Sequence, residues 1–174
     1  MTNKIVYIGL GSNIEQPYLQ IKNAITALDG LPDTRVTADS GYYKSRPMGP
    51  EDQPDYVNAV VKIETALDAV DLLTRCQQIE DQQGRVRSRR WGERCIDLDV
   101  LLFADQQIKT DKLTVPHPGI TQRDFVYIPL LKLDPAVAIP GESALKDLLQ
   151  AGSDLMSDES TSDYGCQYAG SIDR

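Results

Sequence analysis

The sequence predicts an α+β fold: an antiparallel sheet with helices packed on one face, followed by a C-terminal helical extension. Three observations lead there. Apolar, β-branched stretches at Lys4–Leu10, Val36–Tyr43, Tyr56–Thr65 and Arg94–Phe103 read as strands. Between the first and second, and again between the third and fourth, apolar residues recur at helical spacing. The resulting order β-α-β-β-α-β is the split βαβ pattern of ferredoxin-like domains, and 174 residues suit one domain that buries about 70% of the surface its unfolded chain would expose.

Each element has a local reason. "KIVYIGL" runs into "GSN", a strand entering a turn. Pro17 suits a first helical turn, and Leu19, Ile21, Ala24, Ile25 and Leu28 give that helix an apolar stripe ending before Gly30. Val36–Tyr43 follows as the second strand. Residues 45–55, "SRPMGPEDQPD", carry Pro47, Gly49, Pro50 and Pro54, too much punctuation for regular structure, and form a sizeable loop. After the strand "YVNAVVKIET", Asp68 caps a helix that runs through Gln83, with Val70, Leu73, Cys76 and Ile79 or Glu80 inward and Gly84 ending it. The last strand leads to a turn at 104–106, a short returning strand near Ile108, a helical turn over Gln122–Leu131 and a helix at about Ser143–Gln150. Residues 1–150 are thus the working domain, and 151–174, rich in Ser, Asp and Gly without periodicity, are expected to be a disordered polar tail.

Composition narrows the function classes. A net charge of -8 argues against a general affinity for nucleic acid or an anionic membrane. Cys76, Cys95 and Cys166 are odd in number and widely spaced, which reads as free thiols in a reducing cytoplasm. The N-terminal apolar run is too short for a signal peptide and no run of eighteen uncharged apolar residues occurs, so a cytoplasmic protein is expected. Yet five of the 18 basic residues, Arg85, Arg87, Arg89, Arg90 and Arg94, fall within ten positions whose only acid is Glu93. A basic island in an acidic chain suits a specific anionic ligand.

Directly after it stands "RCIDLDVLLF", in which Asp97 and Asp99 alternate with Ile96, Leu98 and Val100. Strand geometry points both carboxylates the same way, roughly 6–7 Å apart. At an effective dielectric near 20 their repulsion is on the order of 2.5 kcal/mol, so something positive must offset it. Salt bridges from Arg87 or Arg94 are one solution, bound Mg²⁺ is another, and water is a third if the strand is a sheet edge; with five arginines for two aspartates, a polyphosphate held between metal and guanidinium forks accounts for the surplus. No Walker-type loop is present, and "GLGSN" is too short to count as one. Trp91, the only tryptophan, reads either as a loop anchor or as a gate over a flat ligand. Tyr56 and Asn58 share a strand face and offer an aromatic wall and an amide, or a satisfied core amide. His117 is the sole histidine, which excludes a multi-histidine metal site but not a phosphate contact.

Six segments in order, "GLGSN", "GPEDQPDYVNAV", "IEDQQGR", "RWGERCIDLDVLLF", "LTVPHPG" and "RDFVYIPL", closely resemble the 6-hydroxymethyl-7,8-dihydropterin pyrophosphokinase family over about Lys4–Leu149. The resemblance implies a folate-pathway enzyme that moves a diphosphoryl group from ATP to a pterin alcohol, with 1–150 as the pyrophosphokinase domain. It implies two Mg²⁺ on Asp97 and Asp99, and a pterin pocket of Ser45, Met48, Tyr56, Asn58 and Phe125. ATP contacts would come from Gln77, Glu80, Lys112, Thr114, His117 and Arg123, catalytic guanidiniums from Arg85 and Arg94, and a closing loop from Arg87 and Trp91. Its partners are then two small molecules, ATP and the pterin, and a monomer is expected. Ser45-Arg46-Pro47 stands where Thr-Pro-Pro is common, and Lys112 replaces a frequent arginine with a point charge. Two rivals remain: a pterin- or nucleotide-binding module without catalysis, against which both aspartates with Arg85 and Arg94 count, and an RNA-binding domain, which the acidic balance opposes.

Overall fold

The computed structural model describes residues 2–84, 92–155 and 164–174. Strand β1 (Lys4–Ser12) is followed by α1 (Pro17–Asp29), β2 (Thr34–Asp39), β3 (Tyr42–Ser45), β4 (Tyr56–Thr65) and α2 (Ala69–Gln82). Then come β5 (Asp97–Phe103), the short pair β6 (Ile108–Lys109) and β7 (Thr114–Val115), α3 (Asp124–Leu133), α4 (Leu145–Leu155) and β8 (Gln167–Gly170). The main sheet runs β5-β1-β4-β3-β8, with β2 also on β4 and every pairing antiparallel. Among the described residues no helix is long and apolar enough to cross a membrane.

The second strand of the sequence reading is two strands. Gly41, at φ +81, breaks it in a backbone conformation that side-chain-bearing residues rarely adopt. The break would leave part of the β4 ladder unmet; Ser40 repairs it, its N–H donating to Val60 O and its Oγ accepting the Val60 N–H, both at 2.9 Å. Helix α2 starts where its cap predicts, Asp68 Oδ1 accepting the Asp71 N–H at 2.8 Å.

Strand alternation divides the core in two. Val6, Ile8 and Leu10 of β1, Ala59, Val61 and Ile63 of β4, and Leu98 and Val100 of β5 meet Ile21, Ile25 and Leu28 of α1 and Leu72, Cys76 and Ile79 of α2. Tyr7, Val60 and Leu101 belong to a second cluster with Val126 and Leu130 of α3 and Leu145 of α4. Helices therefore cover both faces, not the one expected, because Leu101, Leu102 and Val60 leave apolar surface on the far side that α3 must bury. Two stripe assignments also fail: Leu19 and Val70 lie on the outer faces of α1 and α2, at 47% and 66% exposure.

The expected disordered tail is corrected in its described part. Residues 164–174 return to the sheet, β8 pairing with β3 through Lys44↔Gln167 and Tyr43↔Tyr168. Tyr43 and Tyr168 rings meet edge to face at 5.5 Å, Lys132 Nζ lies 3.8 Å over Tyr168, and Arg174 bridges Asp39 at 3.1 Å. These contacts come from residues scattered along the strand's neighbours, so no periodic signal in the segment itself announces them.

Candidate active site

The site grows from the middle of β1. Gly11 stands opposite Asp97 on one side and Asn58 on the other; Gly9 stands opposite Asp99 and Val60 in the same way. Residues two apart on a strand share a face, so two glycines form a floor between a pair of carboxylates and an amide. A Cβ on Gly11 would come within 3.5 Å of Asn58 Oδ1, and one on Gly9 within 3.5 Å of the Leu101 side chain. The missing side chains keep open a cleft of about 230 Å³, whose lining also includes Ser45, Arg46, Met48, Tyr56, Arg94, His117, Arg123, Phe125 and Val126.

On the β5 side, Arg94 Nη1 lies 3.0 Å from Asp97 Oδ1, both side chains being about one-fifth exposed. This is one of the solutions left open for the carboxylate pair. The position of Arg94 is set by Asn13, whose Oδ1 accepts the Arg94 N–H at 2.9 Å while its own N–H donates to Arg94 O at 3.1 Å. The Asn13 amide also donates to Gln53 Oε1 at 3.0 Å and Pro54 O at 2.9 Å. One buried side chain thus ties the end of β1, the 46–55 loop and the start of the aspartate strand together.

On the opposite side, Asn58 donates through Nδ2 to Ser45 Oγ at 2.9 Å and to Tyr43 O at 3.3 Å. Tyr56 donates its hydroxyl to Gly92 O at 2.8 Å; burial, opposed by the Arg94 charge and assisted by the Asp97 and Glu93 charges, pushes its pKa up to about 12. The phenol therefore stays a donor at neutral pH. Phe125, in the first turn of α3, meets the Tyr164 ring edge to face at 5.3 Å.

Between the two sides sit His117 and Arg123. His117 Nδ1 accepts the Gly119 N–H at 2.9 Å, so the neutral ring carries its proton on Nε2. Burial first, then the Arg123 charge, lowers its pKa to about 4, against a smaller opposing pull from Asp97. Gly119 makes room for Arg123: a Cβ there would meet Arg123 Nε at 2.7 Å.

The structure brings together Ser45, Met48, Tyr56, Asn58, Arg94, Asp97, Asp99, His117, Arg123 and Phe125 of the residues singled out in the sequence. Four others lie outside this lining. Glu80 is buried beneath the edge strand, where Oε1 accepts the Leu98 N–H at 3.4 Å. Gln77 is exposed on α2 and Lys112 is exposed between β6 and β7. Thr114 lines a second cavity, of about 540 Å³, that shares His117 with the first. Arg85, Arg87 and Trp91 lie outside the described residues. Sequence reasoning missed Gly9, Gly11, Asn13 and Arg46; the glycines were legible as gaps in an otherwise apolar strand directly across from the aspartates.

The donor set can be tested against a divalent cation. Asp97 and Asp99 supply hard oxygen ligands on one face, and the glycines beside them leave room for more. Among the described residues no group of three or more His, Cys, Asp or Glu is assembled. The pair itself fits the habit of Mg²⁺, which takes one or two carboxylates and completes its shell with water and substrate phosphate.

Residues 7–135 match the family model for 7,8-dihydro-6-hydroxymethylpterin-pyrophosphokinase. The chain belongs to that family. It is 45% identical over 148 residues to the 2-amino-4-hydroxy-6-hydroxymethyldihydropteridine pyrophosphokinase of Haemophilus influenzae, covering 85% of this chain and 92% of that one. The enzyme of the same name from Pseudomonas aeruginosa is 47% identical over 146 residues, 84% of this chain and 90% of its own. Among solved structures, wild-type Plasmodium falciparum HPPK-DHPS with pteroate aligns with 90% of this chain at a TM-score of 0.69 and 14% identity, a likeness of fold. The chain spans 44% of that longer protein. Asp97, Asp99, Asn58 and Phe125 all lie within the pyrophosphokinase match.

Proposed function

We propose that this chain transfers the diphosphoryl group of ATP to the hydroxymethyl oxygen of 6-hydroxymethyl-7,8-dihydropterin, giving the pterin diphosphate and AMP in folate biosynthesis. The observation that carries the reading is the glycine floor, with paired carboxylates on one side and an amide flanked by aromatic rings on the other. The pterin ring lies between Tyr56 and Phe125. Asn58 has committed its N–H bonds to Ser45 and Tyr43, which leaves Oδ1 to accept from the heterocycle's edge. Met48 and the backbone at Ser45 complete that wall.

The phosphates run past Asp97 and Asp99. These two carboxylates would hold Mg²⁺, two ions by the family's pattern; when bound, the metal supplies counter-charge to the phosphate oxygens. Arg94 and Arg123 offer guanidinium forks from the protein side, and His117 offers a neutral Nε2–H donor. Arg87 and Trp91 are assigned to the family's closing loop, and Arg85 joins Arg94 as a catalytic cation. The nucleotide extends through His117 toward the second cavity and Thr114, with Lys112, Gln77 and Glu80 on its flanks. The alcohol oxygen bonds to the β-phosphorus as the bond to the α-phosphate oxygen breaks, and the hydroxyl proton is released. Catalysis comes from alignment and fixed charge.

The antiparallel order, with β2 and β3 counted as one interrupted strand, supports reading the α1/α2 half as a ferredoxin-like unit, to which α3 and α4 add a second helical layer and β8 a further strand. A monomer working in the cytoplasm fits this reading. A binding module without catalysis is not favoured, since it would need neither carboxylate. The test is incubation with ATP, Mg²⁺ and the pterin followed by mass measurement: a product heavier by one diphosphate, with equimolar AMP, is expected. A product heavier by a single phosphate, with ADP, would overturn the assignment.

A further inference from the structure

The returning C-terminal segment does more than extend the sheet. Residues 164–174 lie beyond the family match, which ends at 135, yet they meet the cleft wall at three points. The Arg46 N–H donates to Tyr164 O at 2.8 Å. The Tyr164 and Cys166 N–H groups both donate to Asp124 Oδ2, at 3.0 and 3.1 Å. The Tyr164 ring lies edge to face on Phe125 at 5.3 Å. Gly165 stands between the two donors at φ +65, a conformation that lets amides two residues apart converge on one oxygen.

Asp124 is only 4% exposed, and a buried carboxylate is unfavourable unless hydrogen-bonded. Here two backbone donors and the first turn of α3 favour its charge. The fastening sits between Arg123 and Phe125, both of which line the cleft, and Arg46 lines it from the other side. Tyr164 itself does not line the cleft; it lies behind the ring that does.

We propose that Tyr164 is a positioning residue for the pterin side of the reaction: fastened to Asp124 and Arg46, it fixes the Phe125 ring at the separation from Tyr56 that a flat heterocycle requires. This rests on placing the pterin between those two rings. Rotation of an unsupported Phe125 would lower pterin affinity while leaving the carboxylate and arginine side untouched, so the effect falls on one substrate.

The test compares Tyr164→Ala, Tyr164→Phe and Phe125→Ala in the full chain with ATP, Mg²⁺ and the hydroxymethyl dihydropterin. Tyr164→Ala is expected to raise the pterin KM about threefold to tenfold, the range of an edge-to-face pair, with ATP KM and kcat within twofold of the parent. Tyr164→Phe keeps the ring and restores the pterin KM. Should Tyr164→Ala melt below the assay temperature, Tyr164→Leu, which retains apolar volume without a ring, gives the same ratio. A folded Tyr164 variant with an unchanged pterin KM, alongside a raised value in Phe125→Ala, overturns the positioning role alone. An unchanged pterin KM in Phe125→Ala overturns the placement of the pterin, and the positioning role with it. Equal rises in both KM values would mark a general structural role and also overturn it.

Discussion

The two faces of β1 carry the same backbone and opposite tasks. Toward α1 and α2 it presents Val6, Ile8 and Leu10, none more than 3% exposed, sealed under two helices. Toward the cleft it presents Gly9 and Gly11, flanked by Asp97, Asp99 and Asn58. The first face fills space with methyl groups; the second creates space by omitting side chains and lines it with charge. Stability is concentrated on one face of the strand so that the other can remain open, and substitutions on the two faces should separate cleanly in their readouts.

The sharpest break comes from the open face. Asp97→Ala is expected to lower AMP release at least about a hundredfold, the scale of removing one electrostatic stabiliser, while pterin affinity and melting temperature hold. Near-normal turnover in that variant would end the assignment of the carboxylates. Ile8→Ala, on the sealed face, should cost about 2–5 kcal/mol of unfolding free energy with kcat unchanged below the melting transition, as read by urea denaturation and steady-state assay.

A smaller effect concerns His117. Its folded pKa, about 4, lies below the ordinary histidine value of 6.5, so the unfolded chain binds the proton first on acidification. Its contribution is fully present above pH 6.5 and declines as pH falls toward 4, by about 3 kcal/mol in total. His117→Asn, whose Oδ1 replaces the Nδ1 acceptor, should flatten the stability profile in that window relative to the parent; parallel profiles would refute the linkage. The smallest effect is at Gly11→Ala. The added Cβ would stand 3.5 Å from Asn58 Oδ1 and 3.6 Å from the Tyr56 ring, ordinary contact distances, so melting should hold while pterin KM rises about twofold to fivefold, a shift below about 1 kcal/mol.

What was readable in advance follows the same division. Strands β1, β4 and β5 were legible because apolar and β-branched residues dominate stretches of seven or more positions, and Asp97 and Asp99 stood out because they violate an apolar run. Asn13 was not legible: its four-way tie depends on Gln53, Pro54 and Arg94, positions about 40 and 81 away along the chain. The division of β2 from β3 rests on a serine–glycine pair that reads locally as ordinary strand. The C-terminal strand escaped notice because its four residues carry no alternation and draw their contacts from Tyr43, Lys44 and Lys132.

Strand β8 has one more consequence. By pairing with β3 it occupies backbone donors and acceptors that would otherwise line an open border of the main sheet. Such borders invite pairing with other chains. Shortening the protein before Tyr164 would therefore do more than loosen a ring beside the cleft: it would move the border of the sheet from β8 to β3 and bare the Tyr43 ring that now packs on Tyr168.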